Sequence, residues 1–207
     1  MFRLVTMLWL MLFFSFSALA DYDEGVSEYE KSNYGLALKA FEQSAKAGHT
    51  DAQTYLGVMY ELGQGVKMDY EKALMWYRKA AAEKNPTAEY NLGQMYFYGR
   101  GVKEDQKQAV AWYRKSADQG YASAQSMLGY TYDVGAGVAQ DYQQALNWYL
   151  LAADQHDVDA QYNLGNMYNE GRGVERNRKE AFYWFRLSAL QGDVEAKQAL
   201  KELLRAK

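Results

Sequence analysis

The four tryptophans beyond the first twenty residues, Trp76, Trp112, Trp148 and Trp184, stand 36 residues apart. The same register holds Gly57/Gly93/Gly129/Gly165, Tyr60/Tyr96/Tyr132/Tyr168, Gly63/Gly99/Gly135/Gly171, Gly65/Gly101/Gly137/Gly173, Val66/Val102/Val138/Val174 and Ala73/Ala109/Ala145/Ala181. Twelve of the 17 glycines fall on three of these positions. A period between 20 and 50 residues means stacked supersecondary units, each burying its apolar face on a neighbour. The register divides the chain into repeats over 52–87, 88–123, 124–159 and 160–195.

Each repeat reads as a helix hairpin. Leu56, Met59 and Tyr60 mark one side of a three-turn helix, and Gly63 and its equivalents can take the left-handed conformation that ends it. The second helix starts at Asp69, Asp105, Asp141 and Asn177, residue types that accept from first-turn amides. Three of the four are followed three positions on by Gln108, Gln144 or Glu180, a capping-box pattern. Ala73, Trp76, Tyr77, Ala80 and Ala81 then form an amphipathic stripe. Asn85-Pro86 reads as the N-cap and first-turn proline of the next unit. Small Gly57, Ala73 and Ala80 positions let backbones approach, and large rings fill the space beside them, so the tryptophans are expected in the structural core. The fold expected is all-α, an α-solenoid of antiparallel hairpins with about 11 helices.

The ends depart from this pattern. Residues 22–47 contain Ala37, Leu38, Ala40, Phe41 and Ala45 in second-helix positions but lack the tryptophan and the Gly-x-Gly, so 21–51 is expected to be an N-terminal capping hairpin. At the other end Ala196, Leu200, Leu203 and Leu204 form an apolar face opposite Lys197, Lys201 and Arg205, which predicts a capping helix over 196–207 with a solvated outer side. Met1 to Ala20 reads as a signal peptide. Arg3 is its basic start, Leu4 to Phe14 its apolar core and Ala18-Leu19-Ala20 its cleavage site, with the mature chain beginning at Asp21. The apolar run is too short for a membrane span. A lipid anchor is excluded because no cysteine follows it. The mature chain is therefore expected to be exported, periplasmic or secreted, with no stable membrane anchor.

Composition removes most chemistry. The mature chain carries 22 basic and 26 acidic side chains, a net charge of -4, which disfavours nucleic acid as a partner. With no cysteine and two histidines, His49 and His156, it cannot form a disulfide, a thiolate nucleophile or a Cys/His metal site. No Gly-x-Ser-x-Gly, Ser-x-x-Lys or His-Glu-x-x-His occurs, and the Gly-x-Gly pairs lack the third glycine and strand of a dinucleotide site. Asp21-Tyr22-Asp23-Glu24-Gly25 lacks the glycine spacing and final acid of a calcium loop. No catalytic residue, metal ligand or cofactor is expected.

The segments AEYNLGQMYFYGRGVKEDQKQAVAWYRKSADQG (Ala88–Gly120) and AQYNLGNMYNEGRGVERNRKEAFYWFRLSALQG (Ala160–Gly192) resemble the Sel-one-like repeat, a branch of the tetratricopeptide superfamily. The resemblance implies a right-handed superhelix whose concave surface, lined by the first helix of each repeat, binds proteins or peptides. On that geometry the groove residues are Thr54, Val58 and Glu61, then Tyr90, Gln94 and Phe97, then Ser126, Tyr130 and Asp133, then Tyr162, Asn166 and Asn169. These positions vary between repeats while the core positions do not. Their aromatic and amide content suits a peptide or protein segment. They include no lysine or arginine to clamp a terminal carboxylate, and Glu61 and Asp133 favour a neutral or basic ligand. The expected role is that of an exported non-catalytic adaptor. The alternatives are a cell-wall-fragment or penicillin-binding envelope protein with weak β-lactamase-like activity, comparable to a cysteine-rich branch that this cysteine-free chain departs from, or an immunity or inhibitor protein.

Overall fold

The computed structural model of the chain describes residues 19–205. Apart from its last two residues, the predicted signal peptide lies outside them. The described residues form eleven helices and no strand: α1 (19–30), α2 (Tyr34–Lys46), α3 (Thr50–Leu62), α4 (Tyr70–Ala82), α5 (Pro86–Tyr98), α6 (Gln106–Asp118), α7 (Ala122–Val134), α8 (Tyr142–Asp154), α9 (Val158–Glu170), α10 (Arg178–Leu190) and α11 (Val194–Arg205). They fall into two compact units that divide after Lys103.

In the first unit α3 and α4 pack along each other because Gly57 leaves room for the ring of Tyr77. A Cβ on Gly57 would lie 2.3 Å from Tyr77 Cε1. The α1–α2 hairpin uses the same device, since a Cβ on Gly25 would meet the Phe41 ring at 2.6 Å. The N-terminal hairpin is thus built like a repeat with a shortened loop, and the shortening moves Gly25 out of the 36-residue register. Ala37, Phe41, Ala45, Ala52, Leu56 and Met59 close one core cluster. Loop chemistry follows the expected pattern. Gly63 ends α3 at φ 69°. Gly65, at φ 71°, approaches the start of α2 so closely that a Cβ would lie 2.7 Å from the Tyr34 carbonyl oxygen. The first glycine therefore stops its helix, and the second seats the loop on the preceding hairpin.

The second unit repeats the arrangement. Gly129 faces Tyr149 and Gly165 faces Phe185, with Cβ positions that would fall 2.7 Å and 2.4 Å from those rings. All four second-helix caps form: Asp69, Asp105, Asp141 and Asn177 each accept from a backbone N–H at the third helical residue. Ala196 and Leu203 bury α11, which packs against α10. The helix begins at Val194, inside the predicted fourth repeat, and Leu204, expected on its apolar face, is 70% exposed.

The tryptophans require a correction. Within the four repeats the fully buried rings are Tyr77, Tyr113, Tyr149 and Phe185, the residues that follow each tryptophan, and Phe41 is the fully buried ring of the N-terminal hairpin. Trp76, Trp112, Trp148 and Trp184 are half-buried. Trp76 flanks the α2–α3 cluster and Trp184 the α8–α9 cluster. Lys79 Nζ stands 5.2 Å over the Trp76 ring and Lys115 Nζ 3.8 Å over Trp112. The glycine cradle selects the residue aimed at the partner helix, and its neighbour, about 100° round the helix, closes the seam from outside.

Between hairpins the backbone turns through a left-handed residue. Three of these are Gly48, Gly120 and Gly192, with open space where a Cβ would lie, and two are Lys84 and His156, at φ 61° and 65°. A side chain in that conformation is strained. Lys84→Gly and His156→Gly are therefore each expected to raise stability by about 0.5–1 kcal/mol, read as a higher thermal midpoint with unchanged helical signal.

Candidate ligand groove

The twelve residues expected to line a groove divide by burial. In the first unit Thr54 is buried: its hydroxyl donates to the Thr50 carbonyl at 3.0 Å and lies 3.3 Å from Asn85 Oδ1. Asn85 caps α5 and donates to Asp51 Oδ1 at 2.6 Å, so this register fastens one hairpin to the next. Val58 is half-buried and lines a cavity of about 350 Å³ with Tyr22, Asp51, Thr54, Tyr55 and Thr87. Tyr22 stacks on His49, ring centroids 4.2 Å apart, while His49 caps α3. Burial, followed by the Asp51 charge, pushes the Tyr22 phenol up to about 12. Tyr90, Gln94 and Phe97 are half-buried along α5, with Gln94 Nε2 donating to Tyr90 Oη at 2.6 Å and Phe97 edge-on to Tyr98.

Glu61 is engaged within the protein. It accepts from Tyr77 Oη at 2.7 Å and pairs with Arg100 at 2.8 Å. Burial, then the Glu61 charge, holds the Tyr77 phenol well above its ordinary range, so the proton stays on Tyr77 as a donor. In the second unit Asp133 takes the same place. It is buried, receives the Arg172 guanidinium and faces Tyr149, whose phenol is raised by burial and then by the Asp133 charge. Burial opposes the Arg172 charge, but Asp133 and Glu170 outweigh it and keep the guanidinium pKa above normal. These carboxylates are engaged within the fold, which corrects the expectation that they face a ligand and favour a neutral or basic one. Ser126 is likewise buried.

Tyr130 is 39% exposed on α7. Tyr162, Asn166 and Asn169, one turn apart on α9, converge in a cavity of about 590 Å³ whose far wall is Gln198, Ala199, Glu202 and Leu203 of α11. Phe185 closes its floor, its ring 5.8 Å from that of Tyr162. Arg178, on the rim, donates to the Leu203 carbonyl and ties the last turn of α11 to α10. Charges of both signs surround the opening: Glu170, Glu195 and Glu202 beside Arg176 and Arg178. The arrangement offers an aromatic face, three carboxamides and a mixed rim, which together suit hydrogen bonding to an extended peptide. It presents no nucleophile paired with a base.

The sequence reading missed a second set of polar residues. Gln125 and Gln161 are buried. Gln125 Nε2 donates to the Ala117 carbonyl at 3.3 Å, while Gln155 and Gln191 donate to the Gln125 and Gln161 carboxamides at 2.8 and 2.9 Å. Their signal is the same spacing, Gln53, Gln125 and Gln161 in one register and Gln119, Gln155 and Gln191 in another.

Five successive segments, residues 18–49, 50–85, 86–121, 122–157 and 158–193, match the Sel1 repeat. The chain belongs to the Sel1 repeat family. Its first match covers the N-terminal hairpin expected to be a cap, and each later match begins two residues before the repeat read from the tryptophans. A Sel1 repeat protein from Oxalobacter formigenes is similar at 32% identity and TM-score 0.83, over 90% of this chain and 78% of that one. A protective antigen of uropathogenic Escherichia coli with an SLR fold is 40% identical at TM-score 0.81 over 90% of this chain, which spans 41% of the antigen's length. Helicobacter pylori cysteine rich protein B, 24% identical over 65% of this chain and 97% of its own, shares the fold at TM-score 0.51. No curated protein matches the chain. Sel1 repeats are in general non-catalytic scaffolds for protein–protein interaction. Among the described residues no helix is long and apolar enough to cross a membrane.

Proposed function

We propose that this Sel1 repeat protein is an exported adaptor that holds a peptide or protein segment, without chemistry, in the trough between α9 and α11. The observation carrying the proposal is the convergence of Tyr162, Asn166 and Asn169 on one cavity of about 590 Å³. An aromatic anchor beside carboxamides is the composition of a binding hot spot, and it lies where the Sel1 repeats vary rather than where they agree. Tyr130 on α7 holds one of the same variable positions in the preceding repeat of this unit. Export rests on Arg3, the apolar run Leu4 to Phe14 and the Ala18-Leu19-Ala20 site.

Photocrosslinking in living cells tests both halves. A photoreactive residue at Asn166 is expected to yield a discrete adduct whose Sel1 chain begins at Asp21. Tyr162→Ala with Asn169→Ala should remove the adduct while helical content and thermal midpoint stay near wild type. An adduct equally strong from position Lys79, or one that survives the double substitution, would place binding elsewhere. A chain still carrying Met1 would refute export.

A further inference from the structure

We propose that the cavity walled by α1, α3 and α5 in the first unit seats a lysine side chain of a bound partner. The site is separate from the trough between α9 and α11 and does not depend on it. Its place follows from the register. Tyr22 stands three residues before Gly25, as Thr54 stands before Gly57 and Tyr162 before Gly165. Tyr22 is therefore the N-terminal hairpin's member of the variable groove positions, hidden in the sequence by the shorter loop. On α3, Asp51, Thr54, Tyr55 and Val58 hold the registers of Glu195, Gln198, Ala199 and Glu202 on α11. The same corner of the repeat is thus lined twice, with different chemistry.

That difference selects the ligand. At α11 the opening is surrounded by charges of both signs. In the first unit the cavity is smaller, about 350 Å³; Tyr22, Tyr55 and Val58 line it, and Asp51 is its one charged lining residue. Asp51 is exposed, so the carboxylate sits at the mouth. A lysine has the matching form, an apolar stem that packs along rings and an ammonium that stays near water. The walls are braced from behind. Tyr22 stacks on His49 with ring centroids 4.2 Å apart, and Tyr55 on Phe41 at 4.6 Å. The Asp51 charge, which after burial raises the Tyr22 phenol, favours a cation in the same space. Arginine fits less well. Asp51 Oδ1 already accepts from Asn85 Nδ2 at 2.6 Å, which leaves one carboxylate oxygen for a ligand. A guanidinium fork needs two, whereas an ammonium is a point charge and needs one.

Titration of the purified chain with Nα-acetyl-lysine methylamide, followed by NMR, tests the assignment. Saturable shifts are expected at Tyr22 and Thr87, with a Kd of about 1–10 mM, the range open to so small a ligand. The norleucine counterpart, which keeps the stem without the charge, and the arginine counterpart should each bind at least about 5-fold more weakly. Asp51→Asn should weaken lysine binding about 10-fold with an unchanged thermal midpoint, because it still offers Asn85 an acceptor and the same register carries uncharged Thr87 and Ser123. Tyr162→Ala, which disables the other trough, should leave the titration unchanged. Norleucine or arginine binding as tightly as lysine would overturn the proposal, as would full affinity in a folded Asp51→Asn chain. No saturation by about 50 mM, or shifts at Tyr162 in place of Tyr22, would overturn it too.

Discussion

Tyr77→Ala is expected to destabilise the first unit by about 3–5 kcal/mol, the cost of removing a fully buried aromatic ring. Three losses coincide. The ring fills the space above Gly57, where nothing larger than hydrogen fits, so truncation opens a cavity along the whole α3–α4 seam. The phenol is a donor to Glu61, which keeps only Arg100 as a partner. The residue also lies at the centre of its repeat, so the damage reaches both neighbouring seams. Tyr77→Phe should cost far less, about 0.5–1.5 kcal/mol, because the same register accepts Phe185 in the fourth repeat. Trp76→Ala should cost less than half as much as Tyr77→Ala, since its ring is half-buried and partly covered by Lys79. Denaturant unfolding of the three variants ranks them. Equal losses for Trp76→Ala and Tyr77→Ala would contradict the assignment of the core to the second ring.

That ranking also marks where the sequence stops being informative. Hairpins, caps and helix stops were legible because each depends on a local residue type: Asp69 at an N-cap, Gly63 at a left-handed stop, Asn85-Pro86 at a helix start. The choice between Trp76 and Tyr77 depends on which of two adjacent positions points at Gly57 across the hairpin, and both positions are aromatic in all four repeats. Gly25 escaped notice because a shorter loop moves it out of register, although it faces Phe41 as Gly57 faces Tyr77. Of the candidate groove, variation between repeats pointed to α9, but it also selected Thr54, Ser126 and Asp133, which vary for internal reasons. Asp133 and Glu61 could have been recognised by spacing. Each has an arginine 39 residues on, Arg172 and Arg100, and the intervening repeat, with Phe97 and Ala136 in these registers, has neither charge.

The alternation makes the Asp133–Arg172 pair replaceable, and this sets up the second large effect. Asp133→Ala alone is expected to cost about 3 kcal/mol, because it leaves the Arg172 guanidinium, about three-quarters shielded from solvent, facing Tyr149 without its carboxylate. The loss of Coulomb attraction is the smaller part; a charge held away from water and left with only the exposed Glu170 carboxylate is the larger. Removing both charges should therefore restore most of the stability. Asp133→Phe combined with Arg172→Ala copies the combination that the chain already uses at Phe97 and Ala136 and is expected to unfold within about 1 kcal/mol of wild type, so that the two sites couple by several times the roughly 0.5 kcal/mol typical of independent positions. Asp133→Phe alone should be as damaging as Asp133→Ala, since it adds apolar volume beside a guanidinium that has lost its buried partner and keeps only Glu170. A double variant no more stable than Asp133→Ala would mean that the carboxylate is needed for more than Arg172. Its remaining neighbour is then the Tyr149 phenol, and Tyr149→Phe in the double-variant background separates the two contributions.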